Sequence, residues 1–306
     1  MEKWPNHEPN REIALTITVP PPHPDPSRPE FALPAGACDT HVHVYGPASV
    51  YPYSDERRYS PPDASAQMLE RLHRQLGVDR AVIVQATVHG YDNRAMLNAV
   101  SRAPDRHRGI ALVRGDVTPA ELKALHEGGV RGVRFSFVRH LGAPPDLEMI
   151  KRVADRIAPL GWHLQLYLEA EDLVGYRPLL ETLQIPFVID HMGRIMVENG
   201  LEQEPLATLL DLLKDERAWV KLSGPERVSA NLSTGEFPYA DAVPLARRLI
   251  TAAPDRVLWG TDWPHPNVRE IPDDGKLVDL LPRYTDDAAL LHQLLVDNPT
   301  RLYWYD

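Results

Sequence analysis

The chain of 306 residues has almost no cysteine and no long hydrophobic run. Cys38 is the only cysteine, which excludes disulfide bonds within the chain and fits a reducing compartment. No apolar stretch approaches the roughly 20 residues that cross a bilayer, and the N-terminus lacks the apolar core of a signal peptide. We therefore expect a cytoplasmic protein without a membrane partner.

Positive charge is also scarce. The chain has 33 Lys and Arg residues against 43 Asp and Glu residues, which gives a formal net charge of −10. This balance is unfavourable for binding nucleic acid or an anionic membrane surface. An anionic substrate would therefore need a local group of basic side chains.

Proline is abundant, with 30 residues, many of them near the N-terminus. The segment VPPPHPDPSRPEFALP (residues 19–34) has neither the helical nor the strand period of apolar residues. We predict that residues 1–35 form a proline-rich N-terminal arm, either wrapped on the body or partly disordered, and that residues 36–306 form one domain.

Beyond the arm, short apolar runs alternate with amphipathic segments. The runs predict eight strands, at residues 37–43, 81–87, 109–115, 131–137, 162–168, 186–191, 219–223 and 257–262. Helical patterns such as AQMLERLHRQL lie between them, with leucines recurring on one face. Eight strand-then-helix units without an intervening linker predict an α/β fold, a single (β/α)8 TIM barrel.

Several predicted strands are apolar on one face only. In WHLQLYL (residues 162–168) the leucines occupy one face, whereas His163, Gln165 and Tyr167 occupy the other. In WVKLS (residues 219–223) the two apolar residues after Trp219 likewise oppose Lys221 and Ser223. A doubly wound sheet would usually be apolar on both faces. Polar inner faces favour the barrel, whose chemistry lies at the C-terminal ends of the strands.

Polar residues at the predicted strand ends indicate a single site. The first strand lies in ACDTHVHVYGP, where the alternate residues Asp39, His41 and His43 are expected to share a face. His191 ends the sixth strand and Asp262 ends the eighth. Such a set can bind Zn²⁺, or it can hold a water molecule between a carboxylate base and imidazole donors.

A series of motifs resembles the amidohydrolase superfamily and, more closely, its 2-pyrone-4,6-dicarboxylate lactonases. The motifs are GACDTHVHVYGP, YPYSDERRYSPPDA, VIVQATVHGYDN, GVRGVRFSF, FVIDHMGR, WGTDWPHPN, IPDDG and NPTRLYW, which run from about Gly36 to Trp304. The resemblance implies an amidohydrolase-type barrel. It also implies hydrolysis of an anionic unsaturated lactone in the bacterial breakdown of lignin-derived aromatic compounds.

The resemblance implies roles for individual residues. Asp262 matches the base that takes a proton from water, and His41, His43 and His191 match histidines around the lactone carbonyl. The matched substrate-binding positions are Arg134, Arg227, Tyr59, Tyr167 and Thr87. Where the lactonases have a further arginine this chain has His140, with Arg139 just before it, and both are candidate substrate-binding residues. Either Arg139 turns inward, or the pocket takes an acid with a smaller or differently placed anion.

The resemblance also favours catalysis without a metal cofactor. Metal-dependent relatives usually carry a further ligand on the fourth or fifth strand, where this chain has Arg134 and Tyr167. Arginine cannot ligate a cation, and its charge opposes metal binding. The alternative is a site for zinc or another divalent metal, held by His41, His43, His191 and Asp262.

Other functions are compatible with the sequence. The nearest is a sulfomuconolactone-type or other lactone hydrolase of the same family, with or without a divalent metal. A metal-dependent decarboxylase would need the fifth-strand histidine that is lacking here, and a non-catalytic anion-binding barrel would not need an intact base. A small anionic lactone is therefore the expected partner, and the sequence does not determine the oligomeric state.

Overall fold

A computed structural model describes residues 17–231 and 237–305. Eight parallel strands follow one another in chain order around a barrel. They are β1 Cys38–Val42, β2 Arg80–Val84, β3 His107–Ala111, β4 Val130–Ser136, β5 His163–Tyr167, β6 Phe187–Ile189, β7 Ala218–Leu222 and β8 Val257–Trp259. The predicted (β/α)8 barrel is confirmed, and each strand overlaps its predicted range.

Helices lie between the strands and after the last strand. They are α1 Ala66–Leu76, α2 Arg94–Ser101, α3 Pro119–Glu127, α4 Leu147–Ile157, α5 Asp172–Thr182, α6 Glu204–Leu212, α7 Pro225–Val228, α8 Val243–Ala252, α9 Asp274–Asp279, α10 Leu281–Tyr284, α11 Ala288–His292 and α12 Asn298–Tyr303. In α1 the Ser65 side chain accepts a hydrogen bond from the Met68 amide, and Gly77 ends the helix at φ 81°. Within the described residues, no helix is long and apolar enough to span a bilayer.

The barrel closes where β8 meets β1. Thr40 Oγ1 donates a hydrogen bond to the Trp259 carbonyl at 2.8 Å, and the Asp262 amide donates to the His41 carbonyl at 2.8 Å. Gly260 permits this approach, because a Cβ atom there would lie 2.7 Å from the His41 backbone nitrogen. The closure places the ends of the first and last strands side by side.

The alternation of side chains is interrupted in β1. The register between β1 and β2 shifts between Asp39 and Val42, as it does at a β-bulge. Asp39 Oδ2 accepts a hydrogen bond from Thr261 Oγ1 at 2.6 Å and lies 3.4 Å from His73 Nε2 on α1. The expectation that Asp39 shares the face of His41 and His43 is therefore wrong, because the bulge breaks the period of two.

The described part of the predicted arm lies against the barrel domain. Ile17–Thr18 pairs in parallel with Tyr59–Ser60, and the amides of Glu30 and Phe31 donate to Asp279 Oδ1 at 2.7 and 3.0 Å. Residues 1–16 lie outside the described residues. The division of the chain at residue 35 therefore stays a prediction.

Candidate active site

Three histidines and one aspartate meet at the C-terminal end of the barrel. The Nε2 atoms of His41, His43 and His191 lie 3.6, 3.6 and 3.9 Å from Asp262 Oδ1. Each of the four residues is at most 3% exposed. The structure thus brings together the four residues predicted to be catalytic, and we refer to His41, His43, His191 and Asp262 as the histidine–aspartate cluster.

Two residues of the cluster, His191 and Asp262, have left-handed backbone conformations. His191 has φ 51° and Asp262 has φ 71°, a region in which residues other than glycine are uncommon. Backbone strain of this kind is concentrated at functional sites. The turn at Asp262 is fixed on both sides, since its amide donates to the His41 carbonyl and its carbonyl accepts from the His265 amide, both at 2.8 Å.

The protonated nitrogen of His43 is set by a backbone carbonyl. His43 Nδ1 lies 2.8 Å from the Val84 carbonyl oxygen. A carbonyl oxygen can only accept, so Nδ1 carries the proton and a neutral His43 presents the Nε2 lone pair to Asp262. A neutral His43 can therefore accept a proton at Nε2 but cannot donate one to a substrate carbonyl.

The other two histidines are also held through Nδ1. His41 Nδ1 lies 3.3 Å from Asp190 Oδ1, and His191 Nδ1 lies 2.9 Å from Ser223 Oγ. A hydroxyl group can donate as well as accept, so the hydrogen bond from Ser223 permits a proton on Nε2 of His191. His191 is thus able to donate a hydrogen bond toward the pocket.

The electrostatics of the cluster favour an ionised carboxylate beside neutral rings. Burial, together with the charge of Lys221, lowers the pKa of His41 to about 4. Burial also lowers the pKa of His191 well below its usual value. Burial alone would raise the pKa of Asp262, but the adjacent Arg227 guanidinium holds that pKa well below its usual range.

Arg227, on α7, forms a buried ion pair with the proposed base. Its Nε and Nη2 atoms lie 2.8 and 2.5 Å from Asp262 Oδ2. Nη2 also donates to the Pro266 carbonyl at 2.9 Å. The pair occupies Oδ2 of Asp262 and leaves Oδ1 directed at the histidines, so Arg227 orients the Asp262 carboxylate as well as lining the pocket.

Arg134 stands at the predicted position on β4. Its Nε atom donates to Asp190 Oδ2 at 3.0 Å, and its guanidinium carbon lies 4.8 Å from the centre of the Tyr167 ring. This is favourable cation–π geometry. Arg134 therefore has a fixed position in the wall of the pocket.

A narrow cavity of about 20 Å³ opens beside the cluster. It is lined by His43, Tyr59, Thr87, Arg134, His140, Leu141, Tyr167, His191, Arg227, Asp262, Pro266 and Asn267. Tyr59 is buried and its hydroxyl is hydrogen-bonded to Thr87, which lies in a short 3₁₀ turn after β2. The predicted substrate-binding residues thus line one cavity, with the exception of Arg139.

The structure does not bring Arg139 to this cavity. Its side chain is 71% exposed, and Nη2 lies 3.1 Å from Asp172 Oδ1 on α5. His140 does line the cavity, but burial and the charge of Arg194 lower its pKa to about 4. At neutral pH His140 is therefore uncharged, and the expected third positive charge is absent from this position.

Sequence reasoning missed the polar groups beneath the histidines. Asp190 accepts from Arg134 and lies beside His41, while Lys221 Nζ donates to Gln165 Oε1 at 2.8 Å. The sequence did indicate two of these groups, because the alternation of apolar and polar residues placed Lys221 and Gln165 on the inner faces of their strands. Asp190 directly precedes His191 in IDHMGR, but only the folded barrel shows that it faces β1.

The cluster also has a donor set that fits a divalent metal. Within the described residues, His41 Nε2 and Asp262 Oδ1 are buried without a hydrogen-bond partner. Ligand atoms of His41, His43 and Asp262 lie within 4.8 Å of one another. The Nδ1 atom of each of these histidines lies beside an oxygen atom, as is usual for metal-binding histidines. Metal-free catalysis therefore stays a prediction.

His265 supports the turn that carries Asp262. Its ring is fully buried, with Nε2 2.9 Å from Asp274 Oδ1 and Nδ1 3.7 Å from Glu226 Oε1. Against the effect of burial, the carboxylates of Asp274 and Glu226 raise the pKa of His265 to about 10. A charged imidazole therefore ties α9 and α7 to the loop after β8.

We expect His265→Asn to destabilise the protein at pH 7 more than at pH 10.5. The pKa of His265 is about 10 in the folded chain against 6.5 for the free group, so its stabilisation is complete below pH 6.5 and is lost through pH 10. Melting temperatures of both proteins across this range test the prediction. His292→Asn, at an exposed His–Asp pair, is the matched control, and a constant difference at all pH values would contradict it.

The cluster lies at the C-terminal ends of the barrel strands, where barrel enzymes carry their chemistry. The pattern that describes the amidohydrolase family matches residues 38–304, and the chain belongs to this family. It is an enzyme of the hydrolase class.

The chain is also similar to individual members of this family. The chain is 47% identical over 286 residues to the 2-pyrone-4,6-dicarboxylate hydrolase of Comamonas testosteroni, covering 92% of this chain and 94% of that protein. It is 40% identical over 277 residues to the 4-sulfomuconolactone hydrolase of Rhizobium radiobacter, covering 89% and 91%. A crystal structure of a probable 2-pyrone-4,6-dicarboxylic acid hydrolase from Acinetobacter baumannii, with citric acid bound, superimposes with a TM-score of 0.76 at 27% identity, covering 88% and 100%.

Proposed function

We propose that the protein hydrolyses an anionic unsaturated lactone of the 2-pyrone-4,6-dicarboxylate class, in the cytoplasm and in the breakdown of aromatic compounds. One observation carries the proposal. Asp262 Oδ1 is directed at three histidine Nε2 atoms, while Arg227 holds Oδ2, beside a cavity that also contains Arg134. The names of the two lactone hydrolase relatives support a lactone as the substrate.

The charge of the cavity supports an anionic substrate. The chain as a whole carries a net charge of −10, yet Arg134 and Arg227 both line this cavity. Arginine pairs well with carboxylates, because its planar group donates two parallel hydrogen bonds. Tyr59 and Tyr167 add aromatic surface against which a flat pyrone ring can pack.

In the proposed mechanism, a water molecule donates its hydrogens to Asp262 Oδ1 and to the Nε2 lone pair of His43. The water oxygen attacks the lactone carbonyl carbon, and a proton passes to Asp262. A single well-placed base contributes a factor of about 10²–10⁴ to the rate. Because the Arg227 pair occupies Oδ2, the proton arrives at Oδ1.

His191 is placed to stabilise the oxygen anion that forms on the carbonyl. When Ser223 donates to Nδ1, the Nε2–H group of His191 points toward the pocket and can donate to that oxygen. The carbon–oxygen bond of the ring then breaks, and Asp262 returns its proton to the departing enol oxygen. The net reaction is the addition of one water molecule and the opening of the ring.

Our proposal needs no metal, although the cluster could hold one. His41, His43 and Asp262 would hold a divalent metal, which would polarise the lactone carbonyl as a Lewis acid. Without a metal, the hydrogen bond from His191 stabilises the oxygen anion that forms on the carbonyl. The charges of Arg134 and Arg227 bind the substrate carboxylates.

We expect activity to survive exhaustive dialysis against a chelator with less than about a twofold change, since every step uses protein groups. Elemental analysis of the same sample should show far less than one metal ion per chain. Loss of activity that zinc restores, together with one bound zinc per chain, would show that the reaction requires metal.

A ring-opening assay tests the substrate assignment. Purified protein is mixed with 2-pyrone-4,6-dicarboxylate, and the loss of pyrone absorbance is followed, with 4-sulfomuconolactone as the second substrate. We expect a kcat/KM of about 10⁴ M⁻¹s⁻¹ or more for the dicarboxylate. Turnover of the sulfonated lactone alone would favour the alternative function, and inertness toward both would overturn the proposal.

We expect His140→Arg to lower the KM for the dicarboxylate about tenfold, because it adds a charge-assisted hydrogen-bond donor where the neutral imidazole now lies. Arg139→Gln is the matched control, since Arg139 faces Asp172 at the surface, and its KM should change less than about twofold. A larger effect at Arg139 than at His140 would contradict the geometry of the cavity.

A further inference from the structure

Lys221 is a buried lysine that the mechanism above does not use. It lies on β7 with no solvent exposure, and its ammonium group is inside the barrel. Nζ donates to the Thr40 carbonyl at 2.7 Å and to Gln165 Oε1 at 2.8 Å. These two acceptors, with the Asp190 carboxylate 3.9 Å away, favour the protonated amine in the floor of the site.

The same ammonium group lies beside the groups that hold His41. Nζ is 3.5 Å from His41 Nδ1 and 3.9 Å from Asp190 Oδ1. Asp190 Oδ2 already accepts from Arg134 and Gln165, at 3.0 and 3.2 Å. Asp190 Oδ1 lies 3.3 Å from the same Nδ1 atom, so Lys221 and Asp190 together enclose the inner nitrogen of His41 while Nε2 faces Asp262.

Cationic side chains already lie beside the carboxylates of the cluster. Lys221 and Arg134 lie beside Asp190, and Arg227 lies beside Asp262. Arg134 and Arg227 line the substrate cavity, whereas Lys221 lies beneath it. A divalent cation would add two positive charges in a region where charges are poorly screened, close to an ammonium group that cannot move away.

We propose that Lys221 is a positioning residue that fixes Asp190 and His41 from beneath the cluster and weakens the binding of divalent metal there. The histidine–aspartate cluster supplies metal-binding atoms, and Lys221 opposes the charge that a metal would bring. The inference rests on the geometry of the cluster and does not depend on which lactone is the substrate.

Zinc binding by folded variants tests the proposal without an activity assay. Lys221→Met and Lys221→Gln remove the charge at similar side-chain length, and competition with a chromophoric chelator gives the zinc Kd of each protein. We expect both variants to bind zinc at least about tenfold more tightly than the unaltered protein. Lys221→Arg keeps the charge and should stay within about twofold, as should the surface control Lys214→Met, which removes an exposed charge.

Zinc affinity in Lys221→Met and Lys221→Gln within twofold of the unaltered protein would overturn the proposal. Circular dichroism establishes that each variant is folded before its Kd is compared. Where neither variant folds, nitrogen-15 NMR of the lysine side chains in the unaltered chain tests the charge itself. Lys221 should be an ammonium group at pH 7, and a neutral amine would overturn the proposal.

Discussion

Replacing Asp262 by Asn is expected to lower kcat by about 10²–10⁴-fold. The amide of Asn has nearly the size of the carboxylate and can still accept a hydrogen bond from Arg227, but it cannot take a proton from water. The loss should therefore fall on kcat, with a smaller change in KM. Steady-state kinetics on the dicarboxylate lactone measure both quantities.

The control for this change is Asp172→Asn, which makes the same replacement at the surface carboxylate that pairs with Arg139. Its kcat should equal that of the unaltered protein. Circular dichroism of the Asp262 variant excludes unfolding as the cause of lost activity. A folded Asp262→Asn protein with near-normal kcat would show that another group is the base.

Arg227→Gln is expected to have the second-largest effect, because it breaks a buried ion pair with the base. Leaving one member of such a pair uncompensated typically costs about 3–5 kcal/mol, and one pKa unit corresponds to about 1.4 kcal/mol. Arg227 holds the pKa of Asp262 well below its usual range, so its removal should raise that pKa. We expect kcat/KM at pH 7 to fall by about 10²-fold or more.

The direction of the pH effect distinguishes loss of this pair from loss of substrate binding alone. The Arg227 guanidinium holds the pKa of Asp262 well below its usual range, so the acid limb of kcat/KM in the unaltered protein should lie below the range in which carboxyl groups ordinarily titrate. In Arg227→Gln the acid limb should move to higher pH, because the base is protonated sooner. Arg134→Gln is the control, since Arg134 pairs with Asp190: its KM should rise while the acid limb stays in place. An unmoved acid limb in Arg227→Gln would show that the ion pair does not set the pKa of the base.

The fold could be predicted because the chain repeats one simple pattern. Eight apolar runs alternate with amphipathic segments, and the polar inner positions of β5 and β7 distinguish a barrel from a doubly wound sheet. Residues at the ends of parallel strands converge in a barrel whatever the details of packing. For this reason His41, His43, His191 and Asp262 could be assigned to one site before the structure was known.

Other features depend on contacts between distant segments. A register shift in β1 turns Asp39 toward α1, and no local pattern marks that shift. The direction of Arg139 was also beyond prediction, because it lies in a turn after β4, where the strand period has ended. The protonated nitrogen of His43 follows from the Val84 carbonyl on a neighbouring strand, which only the folded barrel brings within 2.8 Å.

The central claim is that the cluster adds water to a lactone, and isotope incorporation tests it most directly. The purified protein is incubated with 2-pyrone-4,6-dicarboxylate in ¹⁸O-labelled water, and the product is analysed by mass spectrometry. Activation of water by Asp262 predicts a ring-opened acid that carries one ¹⁸O atom in its new carboxylate group. An unchanged lactone, or a product that contains no ¹⁸O, would contradict the claim.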